Sequence, residues 1–474
     1  MKKNSNDEGK LYVSFMTGVG TVTGANFLLN VPQKDSSKPA KILIDCGMVQ
    51  GSKEAESQNR IPFAFNVYET HSLVITHAHL DHVGRIPKLV KDGFRGKIYS
   101  TPATRDLARL ILEDAVHLLR QSAEREGVAP LYEEGDVELA FSFWNIVEYH
   151  TAFNLTEGVS AHFLDAGHIL GSAIVEFTIH EELLGIGDRK KKIAFTGDLG
   201  NTPTPILRDT EYVTDAEYLV MESVYGDRNH ESHDARIREL ERIIKETHQR
   251  KGTLVIPAFS VERTQVILYE INNLIEEGKI PAMPVFLDSP LASRVTEVYR
   301  SYTELFNPST KKRIEQRGDI FDFPKLTITA SNRDSKEISK TDAPKIIVAG
   351  SGMSMGGRVR RHEAEYAPDP HSTILLVGYQ PAGTLGRQLQ EKAKSINVDG
   401  EKVQVKARIE TIFGYSAHKD SDHLVEFVSH GQERLKKAFV VMGELKSSTK
   451  LAQRLRNELG VEAVCPEPEK IYLL

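Results

Sequence analysis

The stretch Thr76-His77-Ala78-His79-Leu80-Asp81-His82 decides how the rest of the chain is read. Before it lies Leu73-Val74-Ile75, a short apolar run that reads as a buried strand. After it, Val83–Val90 reads as a helix that Gly93 can stop. His77 and His79 are two apart, so extended backbone turns both imidazoles to one side. Asp81 and His82 are adjacent where the chain enters the helix, and aim elsewhere. Four metal-competent side chains aimed in two directions suit a pair of metal ions. The bland alternative is a polar loop with incidental histidines. Three histidines and an aspartate at this spacing behind a buried strand argue against it.

Bulk properties bound what the cluster can serve. At 474 residues the chain exceeds one ordinary core, so two domains or one large composite are expected. A hydrophobic content of 40% with 27% charged residues marks a globular protein. The opening MKKNSNDEGK has no apolar centre and does not read as a signal peptide, and no run of 18 apolar residues suggests a membrane span. Cys46 and Cys465 are too few for a disulfide framework and fit a reducing compartment, so a cytoplasmic protein is expected. A metal site must then use His and carboxylate, which favours a hydrolytic centre. A net charge of −6 neither supports nor excludes nucleic acid.

The first two hundred residues alternate short strands and helices. Leu11–Phe15, Lys41–Ile44, Leu73–Ile75, Lys97–Tyr99, Ser160–Phe163, Ala173–Thr178 and Lys192–Phe195 read as strands. Thr104–Arg120 places Leu107, Leu110, Ile111, Ala115, Leu118 and Leu119 at helical spacing. Residues 181–191 read as a hairpin loop. Beyond residue 226 strands and longer helices alternate more regularly, which suggests a parallel sheet with crossover helices. Its strands are Leu254–Ile256, Val285–Leu287, Lys345–Val348 and Thr373–Val377, the last ending in Gly378-Tyr379-Gln380. Val261–Ile275 and a segment from Leu291 read as helices. Segment 305–344 is the least regular and is expected to hold short helices over the surface. The tail returns to strand then helix, with Leu451, Leu455 and Leu459 on one face.

Single residues elsewhere gain meaning from the cluster. His168 sits in Asp165-Ala166-Gly167-His168, where the glycine lets the loop approach a metal closely. Asp198 follows the strand at Phe195, and Asp45 follows the one at Ile44. Taken alone, Asp beside Gly is ordinary turn chemistry. Beside H-x-H-x-D-H these residues read as ligands or their supports.

This series, Asp45, His77, His79, Asp81, His82, His168 and Asp198, resembles the motif series of the metallo-β-lactamase fold. Glu222-Ser223-Val224-Tyr225-Gly226-Asp227-Arg228, Pro257–Gln265 and Phe413–His418 resemble the β-CASP branch of that superfamily. The match spans nearly the whole chain, from Asp45 to Gly443. The resemblance implies an α/β protein: an αββα sandwich into which a β-CASP domain with a parallel sheet is inserted. Residues 1–227 would form the first part of the sandwich, 228–415 the insert and 416–474 the returning part. Carried over, His77, His79 and His168 would hold one zinc, Asp81 and His82 a second, and Asp198 would bridge them. Asp45 would orient a ligand or the bridging water from outside the ligand set. The implied catalytic residues are His418, Glu222 and Asp81; Glu222 would back the His418 imidazole and raise its pKa, which suits that imidazole to donate a proton to a leaving alkoxide.

One departure stands out. RNA-cleaving members of the branch carry a histidine before Gly-Glu that completes the second zinc site, and here that position is Met442, before Gly443-Glu444. A thioether is a poor zinc ligand, so the second metal is expected to be weaker, absent, or completed by water or another side chain. His423 and His430 are near in sequence, but on a predicted helix. DNA-cleaving members of the branch also lack this histidine.

Glycine turns at strand ends expose backbone N–H groups suited to phosphate. Ser351, Gly352, Arg358, Gly383 and Thr384 are therefore the candidate substrate contacts. The resulting expectation is a zinc-dependent nuclease cutting single-stranded RNA by attack of a metal-bound hydroxide. A DNA nuclease, or a catalytically weak RNA-binding or assembly subunit, is the alternative. Neither a membrane partner nor a named protein partner is implied, and a homodimer is left open.

Overall fold

In the computed structural model, residues 9–474 are described except Asp35, Ser52, Lys53, Tyr379, Pro381 and Ala382, together with the Ser37 side chain. Tyr379 of the expected glycine turn and most of the opening decapeptide thus lie outside the described residues. Contacts divide the chain into two units, one running to Asn229 and resuming at His418–Leu474, the other His230–Ala417.

The first unit is built on two seven-stranded sheets. In spatial order the first holds Ile471–Leu473, Tyr12–Thr17, Asn26–Gln33, Ser36–Ile44, Thr70–Val74, Lys97–Ser100 and Trp144–Ile146. The second holds Ala463–Val464, Lys437–Val440, Tyr218–Met221, Lys190–Phe195, Ala173–His180, Val159–Asp165 and Phe153–Thr156. Their facing sides share one apolar core, in which Phe15 lies 5.4 Å from Phe439 and Phe27 lies 6.3 Å from Phe195 between ring centres. The outer side of the second sheet packs Ile174, Ala194 and Met221 with Leu424, Phe427, Leu451 and Leu455 from helices Ser421–Ser429 and Leu445–Leu459. Helix Pro102–Glu126 buries Leu107, Ile111, Leu112 and Val116 on the outer side of the first sheet. The order helix, sheet, sheet, helix is the αββα sandwich, each amphipathic face finding an apolar partner.

The second unit has one six-stranded sheet, in the order Leu326–Ile328, Val285–Asp288, Lys345–Ala349, Thr253–Pro257, Thr373–Val377 and Arg408–Ile412. All its strand pairs are parallel. The central strands are buried on both faces, as helices crossing over a parallel sheet require.

Several elements differ from their expected form. The helix expected over Val83–Val90 is two, Leu80–Val83 and Ile86–Lys91. Pro87 lacks an N–H to continue a helix but suits the first turn of a new one. The 181–191 loop does connect antiparallel strands, with a helical turn, Glu181–Leu184, inside it. Segment 305–344 holds helix Pro308–Arg317 but also contributes the edge strand Leu326–Ile328.

Candidate metal centre

The metal-competent side chains are gathered from strand ends. Ser36–Ile44 leads to Asp45, Thr70–Val74 to the His77–His82 turn, Val159–Asp165 to His168, Lys190–Phe195 to Asp198, and Tyr218–Met221 to Glu222. His79 Nδ1 lies 3.1 Å from His77 Nε2 and 3.3 Å from His168 Nε2. Asp198 Oδ2 lies 3.4 Å from His77 Nε2 and 3.5 Å from His168 Nε2. In a tetrahedron with zinc–ligand bonds near 2.05 Å, ligand atoms are about 3.3 Å apart. These four residues therefore form a cluster able to hold a metal ion.

A second grouping adjoins it. His82 Nε2 stands 3.4 Å from Asp198 Oδ1 and 3.9 Å from Asp81 Oδ2. His82 Nε2 and Asp198 Oδ1 are both buried, and neither has a hydrogen-bond partner among the described residues. The other imidazole nitrogen, Nδ1, lies 2.7 Å from Asp45 Oδ2. With that nitrogen donating to Asp45, a nitrogen lone pair faces a carboxylate oxygen across the gap. Only a proton or a cation makes that arrangement favourable. Burial works against charge on His82, yet the Asp198 and Asp45 carboxylates raise its imidazole well above its ordinary pKa. The surroundings of this ring thus attract positive charge. Burial and the neighbouring His77 hold His79 well below its usual value, and burial with His418 does the same for His168. Neutral imidazoles are the form that ligates.

Asp45 is itself fixed. Its carboxylate accepts the Thr76 N–H and hydroxyl, both at 2.8 Å, and the Asn26 side-chain amide donates to its carbonyl at 3.0 Å. A Cβ on Gly47 would lie 1.5 Å from the Asp81 carbonyl oxygen, so only glycine lets this loop pass the ligand turn.

Glu222 is fully buried. Its Oε1 accepts the Leu199 N–H at 2.7 Å and lies 3.1 Å from His418 Nδ1. Burial would lower the His418 pKa, but the Glu222 and Asp198 carboxylates outweigh it and push it up to about 9. His418 pairs in a β-bridge with Gly200, and the Lys419 N–H donates to the Leu199 carbonyl at 2.8 Å. The imidazole is thereby held beside the Asp198 loop.

Comparison with known proteins agrees with this architecture. Residues 40–248 match the metallo-beta-lactamase superfamily model, 264–389 the Beta-Casp domain, and 402–466 the Zn-dependent metallo-hydrolase RNA specificity domain. Ribonuclease TTHA0252 of Thermus thermophilus is 34% identical over 401 residues, covering 83% of this chain and 88% of that protein. The chain belongs to the β-CASP family of metal-dependent hydrolases. The RNase J-like protein of Methanocaldococcus jannaschii is 32% identical over 441 residues, covering 91% of this chain and 93% of that one. Transcription termination factor FttA of Methanosarcina mazei is 32% identical over 463 residues, 95% of this chain and 69% of that protein. A crystal structure of a protein of unknown function from Enterococcus faecalis shares the fold, with a TM-score of 0.57 at 14% identity, covering 98% of this chain and 100% of that one.

Within this β-CASP chain, Met442 is 2% exposed and adopts a left-handed backbone, φ +47. It lines a small cavity together with Asp45, Thr76 and His82, and its sulfur packs toward Gly18. Neither nearby histidine takes its place: His423 Nδ1 bonds Asp420 at 2.8 Å, and His430 stacks on Tyr212.

The candidate substrate contacts all belong to the second unit. Arg358 does not present a free guanidinium to phosphate. Its Nη1 is 2.9 Å from Asp288 and 3.2 Å from the Thr329 carbonyl. Thr384 caps helix Leu385–Gln390, and the Ser351 hydroxyl donates to the Gly356 carbonyl at 3.3 Å. Gly352 sits against Phe259, and a Cβ on Gly383, φ +86, would meet no atom of the described residues within 4 Å.

The polar supports Thr76, Asn26 and Ser172 are not among the residues that the sequence motifs single out. Thr76, directly before His77, was the one with a positional signal. Ser172 accepts the His168 N–H at 3.0 Å, but nothing in its sequence context marks it.

Proposed function

We propose that this protein is a zinc-dependent ribonuclease that hydrolyses phosphodiester bonds of single-stranded RNA. The single observation that carries the reading is the joining of two features: the four-residue metal cluster, and a carboxylate-backed imidazole, Glu222–His418, whose Nδ1 lies 3.9 Å from Oδ2 of the same Asp198. The RNA specificity domain and the ribonuclease names of the relatives support RNA as the substrate class. His77, His79, His168 and Asp198 would hold one zinc, and Asp81, His82 and Asp198 a second, weaker one. Zinc at such a site supplies a water acidified to a pKa of about 7 and positive charge for the phosphoryl oxygens. Asp45 keeps the His82 lone pair turned inward. His418, its Nδ1 proton held by Glu222, donates from its other nitrogen to the departing oxygen. No helix among the described residues is long and apolar enough to cross a membrane. A cytoplasmic location fits the two free cysteines.

The test is a zinc count on purified protein, with cleavage of labelled RNA and DNA of the same sequence. Zinc bound and RNA cut in preference is the expected result, with both lost in His168→Ala. Preferential cutting of DNA would select the DNA nuclease, and RNA bound but uncut would select the assembly subunit. Full cleavage by metal-free protein would overturn the reading.

A further inference from the structure

The two loops that bring His168 and Asp198 together are joined by a segment outside every motif above, Arg208–Glu211. Thr210 is 6% exposed, and its hydroxyl lies 2.9 Å from the Ala166 carbonyl and 3.1 Å from the Gly200 carbonyl. One hydroxyl hydrogen is thus shared between two acceptors, a three-centre bond. Ala166 lies two residues before His168, and Gly200 two residues after Asp198. The Gly200 N–H also donates to Ala166, at 2.8 Å.

The seam continues through Glu211. Its N–H donates to the Asp165 carbonyl at 2.8 Å, and its carboxylate accepts the Asp165 N–H at 2.7 Å. Packing leaves no slack. A Cβ on Gly167, φ +63, would lie 2.7 Å from the Thr210 nitrogen, and one on Gly200 would lie 1.9 Å from the Gly167 carbonyl oxygen. On its far side the His168 loop is held by the Ser172 hydroxyl. The Thr210 hydroxyl thus reaches both ligand-bearing loops at once.

We propose that Thr210 is a positioning residue for the metal cluster, its hydroxyl setting the spacing between His168 and Asp198. The proposal rests on the reading of His77, His79, His168 and Asp198 as the metal site. The 3.5 Å between His168 Nε2 and Asp198 Oδ2 is one edge of the ligand polyhedron, and a loop free to slide lengthens it. Groups that hold ligands without touching the metal typically carry a 10–100-fold share of affinity.

Thr210→Val keeps shape and removes only the donor, while Thr210→Ser keeps the donor. Each metal-stripped protein is titrated with Zn²⁺ against a chelator, and with Co²⁺ while its visible absorption is followed. Thermal unfolding of the same stripped proteins is recorded alongside. Thr210→Val is expected to weaken the first ion about 10-fold or more and to alter the Co²⁺ bands, with Thr210→Ser restoring both. Wild-type affinity and an unchanged Co²⁺ spectrum in Thr210→Val overturn the proposal, whatever happens to unfolding. A Thr210→Ser protein as weak as Thr210→Val overturns it too. Should Thr210→Val fail to fold, Thr210→Ala against Thr210→Ser asks the same question. A wild-type protein that binds neither ion sinks the metal reading itself.

Discussion

At the scale of single residues, the division of labour around Asp198 can be separated by substitution. His418 is held by Glu222 and lies outside the four-residue cluster, so His418→Ala is expected to retain zinc. Its cleavage rate should fall about 10²–10⁴-fold, the range for losing a general acid. Glu222→Gln should act in the same direction more mildly, because the amide cannot stabilise the imidazolium. Zinc lost in step with activity in His418→Ala would make His418 a ligand instead. Met442 poses a second question. If Asp81, His82 and Asp198 hold a second ion, they would leave it a fourth position for water, so wild-type protein should bind one ion tightly and another weakly. Activity should then rise with added Zn²⁺ or Mn²⁺, and Met442→His should tighten the second ion and reduce that dependence. Two ions bound tightly by the wild type, with no effect of Met442→His, would mean that the gap is already filled.

At the scale of elements, the turn after strand Lys345–Ala349 carries a pH dependence. Glu363, on helix Val359–Tyr366, is fully buried and bonds the Ser354 hydroxyl of that turn. Burial raises its carboxyl pKa to about 8 against the pull of that bond. The unfolded chain releases this proton near 4.5, the folded one near 8. Between those values the folded state holds more protons, so stability falls as pH rises and levels off above about 8. Glu363→Gln should flatten that slope, gaining on the wild type at pH 8 relative to pH 5 in urea unfolding. Parallel slopes would show that Glu363 is ionised in the fold. Strands with a short apolar run and a turn behind them were legible in the sequence, as were all the side chains that meet at Asp198. Asn26–Gln33 was not, because it is buried almost throughout and carries two asparagines and a proline. The pattern gave no alternation, and the Asn30 amide bonds the distant Lys10 carbonyl. Arg358 misled for a related reason: its partner Asp288 is 70 residues away, and a guanidinium beside glycines reads the same whether committed or free.

At the scale of the whole molecule, His230–Ala417 has its own sheet and its own core around Val255, Ile347, Val359, Ile374 and Leu389. Expressed alone, it should fold with a single cooperative urea transition, since a contiguous unit with its own core can in principle fold alone. A fragment without cooperative unfolding would show that this core needs the rest of the chain. The other unit has no such independence, because Lys437–Val440 pairs directly with Tyr218–Met221 in its second sheet. The ribosome makes these partners about 220 residues apart. At roughly 5–20 residues per second, the Tyr218–Met221 edge waits on the order of 10–45 s for its neighbour. Throughout that interval a growing chain displays an unpaired, apolar strand border, the surface on which neighbouring nascent chains or a chaperone would first take hold.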